Sequence, residues 1–209
     1  MIRIGVLEPR PAARTKERMK THGLSSNAVL LVVDVQRGLD EPIWGRRNNP
    51  HMERNIETLL VAWRSSKWPV IFFKHMSTWA TSPLRPGQPG NEFKPECAPV
   101  PGERILKKSV NSCFIGTSLE ADLRRAGCDT LVIVGLTTNH CISTTARMAG
   151  NLGFTAYVVS DATATFDRTG PDGVEYKAEL IQAMTLSDLN HEFATIIDTK
   201  GVISELRLL

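Results

Sequence analysis

Residues 28–34, AVLLVVD, form an uninterrupted apolar run closed by an acid, and few folds can house such a run. A strand with one face in water alternates apolar and polar residues. One without alternation is covered on both faces, as the strands of a parallel sheet are. Parallel neighbours need long crossovers, and the following sequence supplies them. Met52–Lys67 carries Ile56, Leu59, Leu60 and Trp63 at helical spacing; Pro69 stops it, and VIFFKH (Val70–His75) reads as a second strand. A short strand at Ile105–Leu106 and a helix over Ser118–Ala126, with Leu119 and Leu123 on one face, come next. Then follow a strand at Thr130–Val134, a helix after Cys141, a strand at Ala156–Ser160, and a polar loop to Gly173. A helix near Val174–Leu189, a strand at Ala194–Asp198 and a short helix close the chain. This alternation predicts an α/β fold: three layers, α-β-α, around a doubly wound, mostly parallel sheet of about six strands. The Pro/Gly-rich segment Thr81–Glu103 has no period. Loops of that length are functional covers or disordered runs, and this one is the first candidate for a lid.

With 209 residues and 42% hydrophobic composition, one domain with a sizeable core is expected. No apolar run approaches the ~20 residues of a membrane span, and the N-terminus lacks the apolar core of a secretory signal. The four cysteines (Cys97, Cys113, Cys128, Cys141) show no C-x-x-C pair, so a reducing cytoplasm is the expected compartment. Charge is uneven. Residues 1–20 hold six Lys/Arg against Glu8 and Glu17, leaving 19 basic and 20 acidic residues elsewhere, and no nucleic-acid-binding face is expected. Residues 1–25 therefore read as a basic N-terminal extension before a domain at 26–209. A flexible arm without a role is the preferred reading; a weak targeting segment and translated sequence ahead of a start at Met19 are the alternatives.

Cys141 lies between a buried strand and a helix, in VIVGLTTNHCISTTARMAG. A thiol at a helix N-terminus faces unpaired N–H groups and the positive end of the helix dipole, and both favour the thiolate. A small buried structural cysteine is an equal reading on position alone. Asp34 alone reads as a turn or cap residue, and Lys108 beside Lys107 as half of a solvated pair. Together the three place base, cation and thiol at strand ends, where open parallel sheets bind ligands.

Three blocks carry a resemblance: LLVVDVQRG (30–38), ILKKSVNSCFIGTSLEADLRRAG (105–127) and LVIVGLTTNHCISTTARMAGNLGFTAYVVSDATATFD (131–167). They resemble the isochorismatase-like cysteine hydrolase superfamily, which includes nicotinamidases, N-carbamoylsarcosine amidase and ureide hydrolases. The likeness spans residues 26–205. It implies a catalytic Asp34 in DVQ, a catalytic Lys108 ahead of Ser112, Phe114, Gly116 and Thr117, and Cys141 as nucleophile. It also implies a cis Leu136–Thr137 peptide and an oxyanion hole from the Thr137 and Cys141 amides. The implied reaction is hydrolysis of a small amide, ureide or cyclic amide through a thioester. Relatives that cleave isochorismate lack the cysteine, so that reaction is not expected. Dimers or tetramers are implied as well.

No cofactor and no metal are expected. The Asp-x-His pattern of the nicotinamidase metal cluster is missing from Trp44–Asn55, which holds His51 alone, and a lone His75 reads as a pocket wall. Gln36, Trp44, His75, Trp79, Asn111 and Phe114 are candidate substrate contacts. Arg46 and Arg47 read as surface or interface residues that could attract a carboxylate, and Asn139 and His140 face either the pocket or a neighbouring subunit. Cys113 and Cys128 are expected to be structural, and Asp161 and Asp167 to cap or turn. Two rival readings stay open: a redox thiol protein with Cys113 as resolving cysteine, and a catalytically idle binding protein.

Overall fold

The computed structural model describes residues 24–206. β1 (Val29–Val33) is buried at every position, and its side chains divide by parity, as alternation along a strand requires. Leu30 and Val32 enter one apolar core with Ile56, Leu59, Leu60 and Trp63 of α1 (Met52–Ser65) and Val202 of α5 (Thr199–Leu206). Val29, Leu31 and Val33 enter a second core. It includes residues of α2 (Leu119–Arg125), α3 (Ser143–Asn151) and α4 (Ala178–Leu189). Each buried Leu, Ile or Val stabilises the fold by about 1.5–3 kcal/mol relative to exposure. The sheet is thus held from both faces, in the three layers expected. Trp63, fully buried, satisfies its indole by donating Nε1–H to the Ala28 carbonyl at 3.0 Å. α1 ends where Lys67 adopts φ 56° and Trp68 N donates to Trp63 O, a Schellman closure that Pro69 makes final.

The six-stranded sheet joins β1 to β2 (Val70–His75), β3 (Arg104–Lys108), β4 (Thr130–Leu136), β5 (Thr155–Ala164) and β8 (Thr195–Ile197). Its order is β3-β2-β1-β4-β5-β8, and all five pairings are parallel. From β1 the chain winds outward through β2 and β3; from β4 it winds the other way. β1 and β4 therefore flank the switch point, and the crevice lies beyond their carboxyl ends.

Several bounds differ from expectation for identifiable reasons. β5 does not stop at Ser160. Its register against β4 jumps from Ile133↔Val158 to Gly135↔Thr163, so β5 bulges where apolar character lapses and then resumes. Asp161 sits in that bulge, and its Oδ1 accepts from Thr199 N and Oγ1, both at 2.8 Å, capping α5. The expected helix start at Val174 is pre-empted by a hairpin of β6 (Arg168–Thr169) and β7 (Glu175–Tyr176). α4 begins only at Ala178, whose N–H is capped by Asp167 Oδ1 at 2.7 Å. The body also starts earlier than residue 26: Leu24 is 1% exposed within the first core. The rest of the expected extension, residues 1–23, lies outside the described residues.

Residues 81–103 are irregular but fastened. Asn91 Nδ2 donates to His75 O at 2.8 Å and to Leu84 O at 2.6 Å, and Lys94 N donates to Val35 O at 3.0 Å. Asn91, Lys94 and Cys97 are buried, so this stretch belongs to the body rather than to a disordered run.

Candidate active site

Three strand ends converge at the switch point. Asp34 follows β1 with φ 54°, an uncommon conformation for any residue but glycine, which asparagine and aspartate adopt more readily than most. Its backbone N–H still pairs with Phe73 O at 3.1 Å, so its position at the strand end is over-determined. Lys108 closes β3, opposite His75 of β2 in register. β4 continues past Gly135 to Leu136, the Leu136–Thr137 peptide is cis, and Thr138–Ile142 form one π-helical turn before α3. Cys141 lies in that turn.

Gly135 makes this approach possible. A Cβ there would stand 2.0 Å from the Val33 carbonyl oxygen, and φ is +116°. Only a residue without a side chain lets β4 turn so close to β1.

Lys108 is the hub. Its side chain has no exposed surface, and Nζ donates to Asp34 Oδ2 at 2.5 Å, to Val110 O at 3.2 Å and to Cys141 Sγ at 3.4 Å. His75 Nδ1 lies 3.4 Å away as a fourth potential acceptor. An ammonium has three N–H groups, so the third is shared between imidazole and thiol. Asp34 is 1% exposed, and its Oδ1 is buried without a hydrogen-bond partner among the described residues. Cys141 Sγ lies 3.7 Å from Asn111 Oδ1, a sulfur-length hydrogen bond.

The electrostatics correct one expectation. Burial is the strongest influence on the Cys141 thiol and pushes its pKa well above the ordinary value; the Asp34 charge adds to this and Lys108 opposes it. The resting Cys141 side chain is therefore a thiol, not a free thiolate, because desolvation outweighs the dipole of a short helical turn. Burial works against the Lys108 ammonium too, but the Asp34 carboxylate and the Cys141 sulfur outweigh it and hold the pKa above the usual lysine value. Burial lowers the His75 pKa, with Asp34 and Lys108 acting in opposite senses, so the imidazole is neutral at pH 7.

The remaining candidates distribute unevenly. Asp34, Lys108, Cys141, His75 and Asn111 come together, with Thr137 four residues before Cys141. Gln36 has no exposed surface. Its carboxamide accepts from His75 N at 2.8 Å and donates to His75 O at 3.2 Å and Asn91 O at 2.8 Å, fixing the end of β2. Phe114 is buried and stacks on Phe154 at 5.7 Å. Trp44 donates Nε1–H to Gly38 O at 2.7 Å and packs against Phe166. Trp79 is 77% exposed, between β2 and the irregular segment. Arg46 is bound by Asp167 and Glu179, and Arg47 by Glu53, so neither guanidinium is free to greet a carboxylate. Asn139 Oδ1 accepts from Thr165 Oγ1 at 2.6 Å. Two contributors carried no sequence signal: the Val110 carbonyl, because every residue has one, and Asn91, because it sits in a stretch without period.

Cys113 is fully buried and burial raises its thiol to about 12, which suits a packing role better than disulfide exchange. Among the described residues, Asp34, His75 and Cys141 form a group of potential metal-ligand atoms lying within 4.8 Å of one another. No helix among the described residues is long and apolar enough to cross a membrane.

The isochorismatase domain model matches residues 28–201. YrdC, an isochorismatase family protein of Bacillus subtilis (strain 168), is 43% identical over 182 residues, covering 87% of this chain and 97% of its own. Nicotinamidase 3 of Arabidopsis thaliana is 28% identical over 203 residues, 90% of this chain and 92% of its own. A solved isochorismatase-family structure from Chromobacterium violaceum ATCC 12472 matches with a TM-score of 0.86 at 41% identity. It covers 88% of this chain and 96% of the other.

Proposed function

The chain belongs to the isochorismatase family, and from that premise we propose a cysteine-dependent hydrolase of small non-peptide carbon–nitrogen bonds, in amides, ureides or cyclic amides. The observation that carries this reading is the contact of one buried ammonium with both Asp34 Oδ2, at 2.5 Å, and Cys141 Sγ, at 3.4 Å. The buried Oδ1 of Asp34, without a partner among the described residues, is the oxygen we assign to take the proton. Similarity to a nicotinamidase over most of both chains supports an amide carbonyl as the electrophile.

The proposed sequence conserves protons and charge. Asp34 takes the thiol proton as the Cys141 sulfur attacks the carbonyl carbon, and the oxyanion is received by the Thr137 and Cys141 N–H groups. The tetrahedral species collapses, the C–N bond breaks, and Asp34 returns its proton to the departing nitrogen, leaving a thioester. A water molecule, deprotonated by Asp34, attacks the thioester, and the acid leaves as the thiol is reprotonated. Lys108 stays charged throughout, stabilising the transient thiolate and orienting Asp34. We further propose a dimer or tetramer in a reducing cytoplasm; light scattering checks the first. The four free thiols among the described residues are compatible with the second.

The test is product release from a panel of primary amides, ureides and lactams, with Cys141→Ala as blank and hydroxylamine to trap a thioester. Turnover that disappears in Cys141→Ala and falls at least ~100-fold in Asp34→Asn is expected. Turnover that survives Cys141→Ala would refute the nucleophile assignment.

A further inference from the structure

Lys108 Nζ is surrounded by a carboxylate oxygen, a carbonyl oxygen, a thiol sulfur and an imidazole nitrogen, at 2.5, 3.2, 3.4 and 3.4 Å. Carboxylate, thiolate and imidazole together make a donor set for a borderline-soft divalent ion such as zinc. The three side-chain ligand atoms already lie within 4.8 Å of one another. Zinc–ligand bonds of about 2.0–2.3 Å put tetrahedral ligands roughly 3.5 Å apart, so rotamer adjustments of about 1 Å would close the set. A separate observation points the same way. Asp34 Oδ1 is buried and has no hydrogen-bond partner among the described residues, so the resting carboxylate has acceptor capacity that no protein donor fills.

We infer that Asp34, His75 and Cys141 form a latent thiophilic-metal site, and that Lys108 keeps it shut by holding its ammonium where the ion would sit. Metal entry would make bonds to sulfur, nitrogen and oxygen and send the Cys141 proton to bulk water; no electron moves. In the native protein the incoming dication meets a fixed monocation. The Lys108 side chain has no exposed surface, and no route to solvent is open to it without unpacking. Repulsion between +2 and +1 at about 4 Å weakens binding by several powers of ten, even at an effective dielectric constant near 20. Lys108 thus has a second role, independent of any reaction: it keeps soft metals off the nucleophile. The inference rests on geometry and stands or falls separately from the hydrolase proposal.

Cobalt(II) is the probe, because thiolate ligation gives it a sulfur-to-metal charge-transfer band. Wild type, Lys108→Ala and the longer neutral Lys108→Gln are compared by cobalt titration and equilibrium dialysis, with circular dichroism to verify folding. Wild type should show no such band. Each folded neutral variant should bind one cobalt per chain with the band, at least ~100-fold more tightly than wild type. Adding Cys141→Ala to Lys108→Ala should abolish the band, and adding His75→Ala should weaken binding. A thiolate–cobalt band in wild type as strong as in the variants overturns the inference. So does a folded Lys108→Ala or Lys108→Gln protein that takes up no cobalt.

Discussion

Replacing Asp34 by asparagine keeps the shape of the site and removes only the charge that faces Lys108. The two side chains are 2% and 0% exposed and 2.5 Å apart, so solvent cannot replace the lost carboxylate. The protein then has two routes. Lys108 can stay charged without a counter-ion, which for a broken buried pair costs about 3–5 kcal/mol. Or it can give up its proton. An ordinary lysine titrates near 10.5, about 3.5 units above pH 7, and at 1.36 kcal/mol per unit that route costs about 5 kcal/mol. The easier route wins, so the expected loss is about 3–5 kcal/mol. In a domain of this size it corresponds to roughly 6–20 °C in Tm. The pH dependence separates this account from generic damage. In the wild type the folded-state pKa of Lys108 is raised, so its stabilisation is complete below about 10.5 and lost as pH rises through the folded value. In Asp34→Asn the folded pKa falls below that of the unfolded chain. Between those two values the unfolded state binds more protons, and stability rises with pH by up to about 1.4 kcal/mol per unit. Urea unfolding of both proteins from pH 7 to about 10 reads the difference, in which titrations common to both cancel. The gap should narrow as pH rises. A loss below about 1 kcal/mol, or a gap that stays level or widens, would refute the argument.

Gly135→Ala should cost at least about 3 kcal/mol, because the new Cβ would meet the Val33 carbonyl of the central strand at 2.0 Å and neither backbone can yield; a urea midpoint near wild type would disprove the close approach. Glu53 is partly buried against Arg47 and Lys94. Burial raises its pKa, but the two cationic hydrogen-bond partners prevail and lower it to about 2. Its stabilisation is present above about 4.5 and lost as pH falls toward 2. Glu53→Gln should therefore lose about 2–3 kcal/mol at pH 7 and flatten the acid limb of the stability curve; an unchanged acid limb would exclude Glu53 as its source. Burial also predicts that alkylation of Cys141 by iodoacetamide, followed residue by residue with mass spectrometry, keeps accelerating above pH 9. A plateau below pH 8 would show a resting thiolate instead.

The unbroken apolar run AVLLVVD and the helical spacing of Ile56, Leu59, Leu60 and Trp63 made the three layers legible, because each is a pattern local in sequence. Asp34 and Lys108 were legible as strand-end residues, and Cys141 as a turn residue beyond β4, since a parallel sheet gathers carboxyl ends at one edge. What could not be read depends on partners distant in sequence. The bulge at Ser160–Asp161 is stabilised in part by Asn49 and Gln182, which donate to Ser160 O at 2.9 and 3.0 Å. The role of Gln36 depends on His75 and Asn91, dozens of residues away. The state of the Cys141 thiol followed burial, a property of the packed site, rather than the helix start that its neighbours suggested.

The position of β1 in the sheet also bears on how the protein is made. β1 is the first strand in sequence among the described residues, yet it is clamped between β2 and β4. Its second edge is satisfied only by Thr130–Leu136, whose last residue comes about a hundred residues after Val33. At translation rates of about 5–20 residues per second, that interval is roughly 5–20 s. Throughout it an all-apolar strand with an open edge is exposed on a nascent chain, the condition under which strands pair with the wrong partner. A synonymous recoding that slows translation between residues 76 and 129 would lengthen that window without altering one atom of the finished protein. Its effect would be seen in soluble yield alone.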